Sequence, residues 1–300
     1  MSSAPTKTYR GRFAPSPTGP LHFGSLIAAV GSFLDARSCG GEWLVRMEDL
    51  DPPREVSGAA DDILRTLEAF GLYWDKEVIY QSQRRGAYQH TLQRLEHAQL
   101  VYPCGCSRKD IQENTARRGN VYPGTCRNGL PPGHQARALR LRVPDLDIRF
   151  GDRLQGDIEE WLPEKSGDFI IRRADGLFAY QLAVVVDDAE QGITDVVRGA
   201  DLLDSTCRQI FLQRSLGYAL PRYLHLPVAV NESGEKLSKQ TNAPAVSPQQ
   251  AVPALTAALR FLGQRVPEGL ESSHQADFWS WAVPNWQSGR IPKTRIIEVH

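Results

Sequence analysis

The chain has 300 residues, 41% of them hydrophobic, and its 35 basic residues balance 35 acidic ones. This length and apolar content suffice for one large domain with a buried core, and the zero net charge argues against a general nucleic-acid binder. The N-terminus is polar, and no apolar run approaches the roughly 18 residues of a membrane span. We therefore expect a cytoplasmic protein with no membrane partner and no DNA partner.

The segment RFAPSPTGPLHFGS, residues 12–25, joins a short strand, a tight turn and the start of a helix. Prolines and glycines end the strand predicted at 9–14, and apolar residues then recur at helical spacing. A helix N-terminus offers free N–H groups and partial positive charge, which suit a triphosphate. Gly24 lets a base approach the backbone, and His22 can donate to a phosphate oxygen. The plainer interpretation is a proline-packed turn with an incidental histidine.

This segment resembles the HIGH motif of class I aminoacyl-tRNA synthetases, written here as HFGS at 22–25. The preceding RFAPSPTG is similar to the strand of the glutamyl and glutaminyl branch of that class. The resemblance implies that His22, Gly24 and Ser25 bind ATP and that His22 is catalytic. Ser25 replaces the second histidine of HIGH.

The segment KLSKQ, residues 236–240, resembles the KMSKS loop of the same class. The resemblance implies that Lys236 and Lys239 are catalytic and that Lys239 binds ATP by neutralising charge on its phosphates, with Mg²⁺ accompanying the nucleotide. Such catalysis consists of positioning and charge stabilisation. Gln240 replaces the final serine of KMSKS.

Three more segments resemble the glutamyl branch: RMEDLD at 46–51, FAYQLAVVVDD at 178–188 and DVVRGAD at 195–201. The resemblance implies a glutamate pocket, and a ligand with two carboxylates and one ammonium needs fixed cations and a fixed anion. Arginines grip carboxylates with paired planar donors, and Glu48 is the candidate for the ammonium. The expected glutamate-binding residues are Arg12, Phe13, Ala14, Pro15, Ser16, Glu48, Tyr180 and Arg198. Which arginine takes the side-chain carboxylate stays open.

The cysteines suggest a metal site, because clustered thiols in a reducing compartment bind metal more often than they form disulfides. Cys104, Cys106 and Cys126 flank a loop too polar to build a core, and three thiolates leave one place in a tetrahedral zinc shell. The spacing of Tyr122 and Cys126 matches the zinc loop of the resembled family, which implies Tyr122 as fourth ligand. We expect one Zn²⁺ per chain. Cys39 and Cys207 are expected to be buried thiols.

Charge is distributed unevenly around this loop. Residues 108–142 hold eight Arg or Lys against Asp110 and Glu113, a net charge of +6, whereas residues 143–192 have a net charge of −7. A basic lobe near an ATP site is a plausible place for RNA. The alternative is a solvated surface whose basic residues pair with the acidic segment.

The alternation of strand and helix signals predicts an α/β fold, a doubly wound Rossmann-type parallel sheet with ATP at the strand C-terminal ends. A zinc-bearing insertion and a short helical C-terminal appendage complete it. The expected divisions are catalytic halves at 1–100 and 168–240, the insertion at 101–167 and the appendage at 241–300. The expected elements include helices near 57–70, 85–98, 205–216 and 247–262, a hairpin turn at Asp175-Gly176, a strand at 225–230 and tryptophans 279, 281 and 286 packed back on the domain.

Only 60 residues follow Gln240, whereas a discriminating glutamyl-tRNA synthetase carries a large anticodon-binding region after KMSKS. The chain therefore resembles a paralogous group of the glutamyl branch made of the catalytic part alone. That resemblance implies ATP-dependent activation of L-glutamate without tRNA. The glutamate is then transferred to the queuosine base at the wobble position of tRNA(Asp).

Two alternatives stay open. One is a short true glutamyl-tRNA synthetase that charges a tRNA 3′ end, and the other is a non-catalytic zinc-bearing RNA-binding paralogue. The presence of Glu48, Arg198 and Lys239 argues against the second, because an inactive shell has no need of them. A nucleotidylyltransferase with a HIGH-like site would not explain Glu48 and Arg198 together.

Overall fold

The computed structural model describes residues 8–114, 121–237 and 244–299. The strands are β1 Arg10–Phe13, β2 Glu42–Met47, β3 Ile79–Tyr80, β4 Val101–Cys104, β5 Ala138–Leu141, β6 Asp147–Asp152, β7 Gly156–Trp161, β8 Phe169–Arg172, β9 Asp195–Gly199, β10 Arg222–Leu226, β11 Val228–Val230 and β12 Ile296–Glu298. The helices are α1 Phe23–Arg37, α2 Ala59–Ala69, α3 Arg85–His97, α4 Arg108–Asn114, α5 Leu162–Lys165, α6 Tyr180–Glu190, α7 Leu203–Leu216, α8 Ala251–Phe261 and α9 Gln275–Asn285.

Parallel strands form the centre of the fold. One sheet has the order β1-β2-β3, and β9, β10 and β6 are parallel neighbours in a second, with β7 at its edge. The two meet where the Thr194 N–H donates to the Arg10 carbonyl at 3.0 Å, just before β9 and at the start of β1. Helices connect these strands, so the predicted doubly wound α/β fold is confirmed. Open sheets of this type bind ligands where the strand order reverses.

A separate antiparallel sheet, in the order β4-β5-β8, supports the cysteine-bearing segment between β4 and β5. The hairpin of β6 and β7 also lies within the expected insertion at 101–167, yet Asp152 of β6 pairs with Tyr223 of β10 in the parallel sheet. The four-part division of the chain stays a prediction, and its insertion contributes a strand directly to the central sheet.

The single strand predicted at 225–230 is wrong, because β10 ends at Leu226 and β11 begins at Val228. Pro227 separates them and has no N–H to continue the ladder. The two strands take different partners, since β10 lies between β9 and β6 whereas β11 pairs with β12. The predicted hairpin turn forms, with Gly176 at φ 83° and one bridge between Arg172 and Phe178.

The C-terminal helices pack against α1, as predicted for the tryptophan-rich region. Trp279 meets the ring of Phe33 with centroids 4.9 Å apart, and the Trp286 indole N–H donates to Asp35 at 3.4 Å. In the part of the chain that the structure describes, no helix is long and apolar enough to cross a membrane.

Candidate active site

A cavity of about 590 Å³ opens at the C-terminal ends of β1, β9 and β10. Its wall includes every expected ATP-binding, glutamate-binding and catalytic residue that the structure describes: Arg12, Phe13, Ala14, Pro15, Ser16, His22, Gly24, Ser25, Glu48, Tyr180, Arg198 and Lys236. Lys239 lies outside the described residues. The cavity therefore collects residues from five separate segments, as an open α/β sheet allows at its strand ends.

The N-terminus of α1 is closed by a reciprocal cap. The Ser25 N–H donates to Nδ1 of His22 at 3.3 Å, and the His22 N–H donates to the Ser25 hydroxyl at 2.8 Å. Since Nδ1 accepts, a neutral His22 carries its proton on Nε2. Ser25, which stands where the family motif has histidine, thus has a capping function, and its contact with ATP stays a prediction.

The HFGS segment at 22–25 lies against the backbone of the KLSKQ segment. A β-carbon at Gly24 would lie 2.9 Å from the carbonyl oxygen of Leu237, which belongs to KLSKQ. On the other side of residues 238–243, Ala245 forms a bridge with His22 and the Val246 N–H donates to Leu21 at 2.9 Å. Lys236 reaches the same cavity and binds Asp201 with its Nζ 2.6 Å from the carboxylate.

Arg12 is already paired with a carboxylate. Its Nε and Nη2 donate to the two oxygens of Asp188 at 3.1 and 3.3 Å, and the Arg46 Nη1 donates to Asp188 at 2.8 Å. Burial by itself raises the pKa of Asp188, but the two arginines lower it below its ordinary value. Asp188 is therefore an ionised buried carboxylate that neutralises much of the charge of Arg12.

Glu48 follows β2 and lines the cavity, with its backbone N–H bound to the Pro15 carbonyl at 2.9 Å. The Arg46 Nη2 donates to its carboxylate at 3.3 Å, and Arg12 and Asp188 lie near. Burial raises the pKa of Glu48 despite the attraction of the two arginines. A largely enclosed carboxylate with a raised pKa gains from a cation placed beside it.

Arg198 differs from Arg12 in having only neutral partners. Its Nε donates to Nε2 of His225 at 3.0 Å and its Nη2 to the Thr206 hydroxyl at 2.8 Å, while Tyr180 lies at hydrogen-bond distance of 3.5 Å from Nη1. Arg198 is only 5% exposed, and yet no carboxylate among the described residues pairs with it. A buried cation without a counter-charge is a site for an anionic ligand group.

The sequence analysis missed Asp152 and His225 as residues of the site, and it noticed Arg46 and Asp201 only as parts of family segments. Asp188 was noticed only as part of a family segment. The available signal was charged residues within otherwise apolar strands and helices, such as Arg46 in EWLVRM and His225 in RYLHL. Their partners lie far away along the chain, and so no local spacing identifies them.

The three cysteines of the antiparallel sheet come together as predicted. Sγ of Cys106 lies 3.6 Å from Sγ of Cys126, and the three ligand atoms lie within 4.8 Å of one another. Tetrahedral zinc with bonds of about 2.3 Å separates its sulfur ligands by about 3.8 Å, so the group fits this metal. Oη of Tyr122 lies 3.4 Å from Sγ of Cys104 and 3.6 Å from Sγ of Cys106. His134 does not belong to the group.

The other two cysteines, Cys207 and Cys39, differ in burial. Cys207 is buried, which confirms the prediction, and burial raises its pKa to about 12. Cys39 is exposed, so its predicted burial is wrong. It follows the end of α1 in a turn toward Gly40, where the chain is at the surface.

Three of the basic residues at 108–142 bind groups within the protein itself. Arg140 is buried, stacks 3.7 Å from the ring centre of Tyr122 and donates to Sγ of Cys104. Arg127 pairs with the buried Asp168, and Arg142 donates to the Arg127 carbonyl at 2.6 Å. The net charge of residues 108–142 is therefore larger than the positive charge that this segment exposes to a ligand.

Residues 8–254 match the family model of tRNA synthetases class I (E and Q), catalytic domain. The chain is 62% identical over 293 residues to the Glutamyl-Q tRNA(Asp) synthetase of Dechloromonas aromatica (strain RCB), covering 96% of this chain and 97% of that protein. It is 60% identical over 287 residues to the protein of the same name from Chromobacterium violaceum, covering 95% of each. The glutamate-tRNA synthetase of Elizabethkingia anophelis has the same fold, with a TM-score of 0.79 at 23% identity over 96% of this chain and 67% of that one.

Proposed function

The chain belongs to the class I tRNA synthetases of the glutamyl and glutaminyl type, and from this premise we propose that it activates L-glutamate with ATP, without tRNA, and transfers it to the queuosine base at the wobble position of tRNA(Asp). It is a ligase of the class I synthetase type. The observation that carries the glutamate assignment is one cavity that holds both Arg198, which has only neutral partners among the described residues, and the carboxylate of Glu48.

Charge pairing suggests how glutamate is oriented. Glu48 holds the α-ammonium, because a buried carboxylate is stabilised by a cation beside it. Arg198 holds the side-chain carboxylate, since its guanidinium has only neutral partners among the described residues. Arg12 is paired with Asp188 and shapes the wall together with Phe13, Ala14, Pro15 and Ser16. The α-carboxylate is then left to react.

Activation needs no protein nucleophile. An oxygen of the glutamate α-carboxylate attacks the α-phosphorus of ATP, the bond to the bridging oxygen breaks and pyrophosphate leaves, which gives glutamyl-AMP. His22 would donate from Nε2 to a phosphate oxygen, Gly24 and Ser25 would approach the nucleotide, and Lys236 and Lys239 would stabilise charge on the phosphates. Mg²⁺ would accompany ATP and supply further charge neutralisation.

The acceptor assignment is supported by the relatives that are 60% and 62% identical to this chain over nearly its full length and carry the name Glutamyl-Q tRNA(Asp) synthetase. A hydroxyl of the queuosine cyclopentenediol attacks the acyl carbon of glutamyl-AMP, the hydroxyl proton is lost and AMP leaves. Exposed basic side chains of the lobe, such as Arg137, would contact tRNA phosphates. We place this reaction in the cytoplasm, with its tRNA substrate.

The lobe would hold one zinc ion through Cys104, Cys106 and Cys126, with Tyr122 as the fourth ligand. Burial raises the pKa of the Tyr122 phenol, and the neighbouring thiols add to the effect. Its ionisation thus needs a cation at ligand distance. When bound, zinc would fix the loop between β4 and β5, and Arg140 would offset part of the ligand charge.

The test of activation is exchange of labelled pyrophosphate into ATP with L-glutamate, measured with and without tRNA. We expect exchange without tRNA and none with L-glutamine. Exchange that requires tRNA would instead favour a true glutamyl-tRNA synthetase, and its absence under both conditions would favour a non-catalytic paralogue.

The acceptor is tested with tRNA(Asp) from which the 3′-terminal adenosine has been removed. Labelled glutamate should still be incorporated, and incorporation should vanish on tRNA from cells that cannot make queuosine. The reverse pattern would identify 3′-end charging. Periodate is unsuitable as a control, because it oxidises the queuosine diol together with the terminal ribose.

A further inference from the structure

The buried His225 lies between the guanidinium of Arg198 and the carboxylate of Asp152. Nδ1 of His225 lies 2.6 Å from Oδ2 of Asp152, and Nε2 of His225 accepts from the Arg198 Nε at 3.0 Å. His225 and Asp152 are both inaccessible at their side chains. His225 lies in β10 and Asp152 at the end of β6, so two neighbouring parallel strands deliver the pair.

Hydrogen bonding fixes the proton positions in this chain of residues. Oδ1 of Asp152 accepts backbone N–H groups of Leu154, Gln155 and His225 at 2.9, 2.8 and 3.3 Å, which leaves Oδ2 for the His225 ring. These bonds lower the pKa of Asp152 to about 2 although burial opposes them. Burial lowers the pKa of His225 to about 4. The histidine is therefore neutral, with its proton on Nδ1 and a lone pair on Nε2 toward Arg198.

We infer that Asp152 and His225 are positioning residues for the substrate carboxylate, acting through Arg198. This rests on the proposed glutamate-activating function. A neutral imidazole can orient the Arg198 guanidinium without cancelling its charge, whereas direct contact with a carboxylate would do both, as Asp188 does with Arg12. The Thr206 hydroxyl holds Nη2 in the same manner, at 2.8 Å. The cation is thus preorganised and still available for an anion in the cavity.

The variant D152N tests this with almost no change of shape. The three backbone N–H groups require an oxygen at the Oδ1 position, so the new amide group faces the His225 ring. An amide donor there selects the other tautomer of His225, whose Nε2–H faces both the Arg198 Nε–H and the Thr206 hydroxyl 3.2 Å away, so that Nε2 can no longer accept from Arg198. Two donors face each other, and the guanidinium loses its fixed orientation. A role limited to packing would not produce this change.

We expect the KM for glutamate in pyrophosphate exchange to rise about tenfold or more in D152N, the size of effect that follows from loss of one charged hydrogen bond. The KM for ATP and kcat should change less than about threefold. The matched control is D35N, which alters another buried carboxylate that binds Arg153 and lies outside the cavity. It should lower the melting temperature and leave the KM for glutamate unchanged. Folded D152N with an unchanged KM for glutamate overturns the inference.

A second measurement uses the unaltered chain. Long-range ¹H–¹⁵N spectra of histidine-labelled protein, with His225 assigned by comparison with H225Q, should show the Nδ1–H tautomer from pH 6 to 8. The Nε2–H tautomer or a charged ring would overturn the inference, and this result decides the matter if D152N does not fold. Failure of the unaltered chain to exchange pyrophosphate with glutamate would refute the proposed function instead, without affecting the tautomer result.

Discussion

The carbonyl oxygen of Leu237 lies 2.9 Å from the point that a β-carbon on Gly24 would occupy. These residues are far apart in the sequence, one in the first turn of α1 and one in the KLSKQ segment. Any side chain at position 24 would push this segment away from the helix N-terminus. Glycine at 24 is therefore required by the contact between the two nucleotide motifs, in addition to any close approach of ATP.

Gly24→Ala should slow glutamate-dependent exchange by about tenfold or more without raising the melting temperature. The helix gains from alanine, by up to about 1 kcal/mol, but Leu237 is displaced. Gly86→Ala is the control, because Gly86 lies in α3 with no atom within 4 Å of its added methyl group. It should raise the melting temperature slightly and leave exchange unaffected. Equal exchange rates in the two variants would show that the contact has no part in catalysis.

The variants Arg198→Ala and Arg12→Ala should differ in their main effect, which is on the KM for glutamate in the first and on the melting temperature in the second. Loss of Arg198 should raise the KM for glutamate roughly 10- to 150-fold, from about 1.5–3 kcal/mol for a charged hydrogen bond, with little change in melting temperature. Loss of Arg12 removes one of the two arginines that pair with the buried Asp188 and leaves Arg46, which should lower the melting temperature. Exchange kinetics and thermal melting measure both quantities. Similar melting losses in the two variants would contradict the difference in charge pairing.

As the pH is lowered, the KM for glutamate should begin to rise at a higher pH than it would if Glu48 had the pKa of an ordinary glutamate side chain. Burial raises the pKa of Glu48, and only its ionised form attracts the α-ammonium. As the pH falls through this raised pKa, Glu48 takes up a proton and the KM for glutamate rises; above it the KM is constant. Glu48→Gln should have a high KM with no acid limb. The raised pKa also means that ionised Glu48 destabilises the free fold at neutral pH, so Glu48→Gln should not lower the melting temperature. Persistence of the same acid limb in Glu48→Gln would assign it elsewhere.

The purified protein should contain one zinc per chain, measured by elemental analysis. Cys104→Ser and Cys126→Ser should lose the metal, because each removes a thiolate ligand. Cys39→Ser is the control and should keep it, since Cys39 is exposed and outside the cysteine group. Tyr122→Phe should bind zinc more weakly if the phenol is the fourth ligand, and unchanged affinity in a chelator competition would exclude that role.

Local patterns in the sequence predicted several of the helices. Such patterns predicted α2 and α3 close to their observed ends, because amphipathic period and capping act within a few residues. The motifs placed His22, Glu48, Tyr180, Arg198 and Lys236 in one site, and the structure brings them to one cavity. The cysteine spacing likewise predicted a group that fits a metal. Their assigned roles stay predictions.

Tertiary structure alone decided the charge state of the cavity. Arg12 and Arg198 look equivalent in the sequence, but Asp188, from α6, pairs with Arg12, whereas neutral His225 contacts Arg198. Pairing of this kind depends on which strands become neighbours and on how much water they exclude, and both follow from the assembled sheet. The place of β6 beside β10 has the same origin. Sequence specifies which groups can carry charge, and packing decides which charge remains available to a ligand.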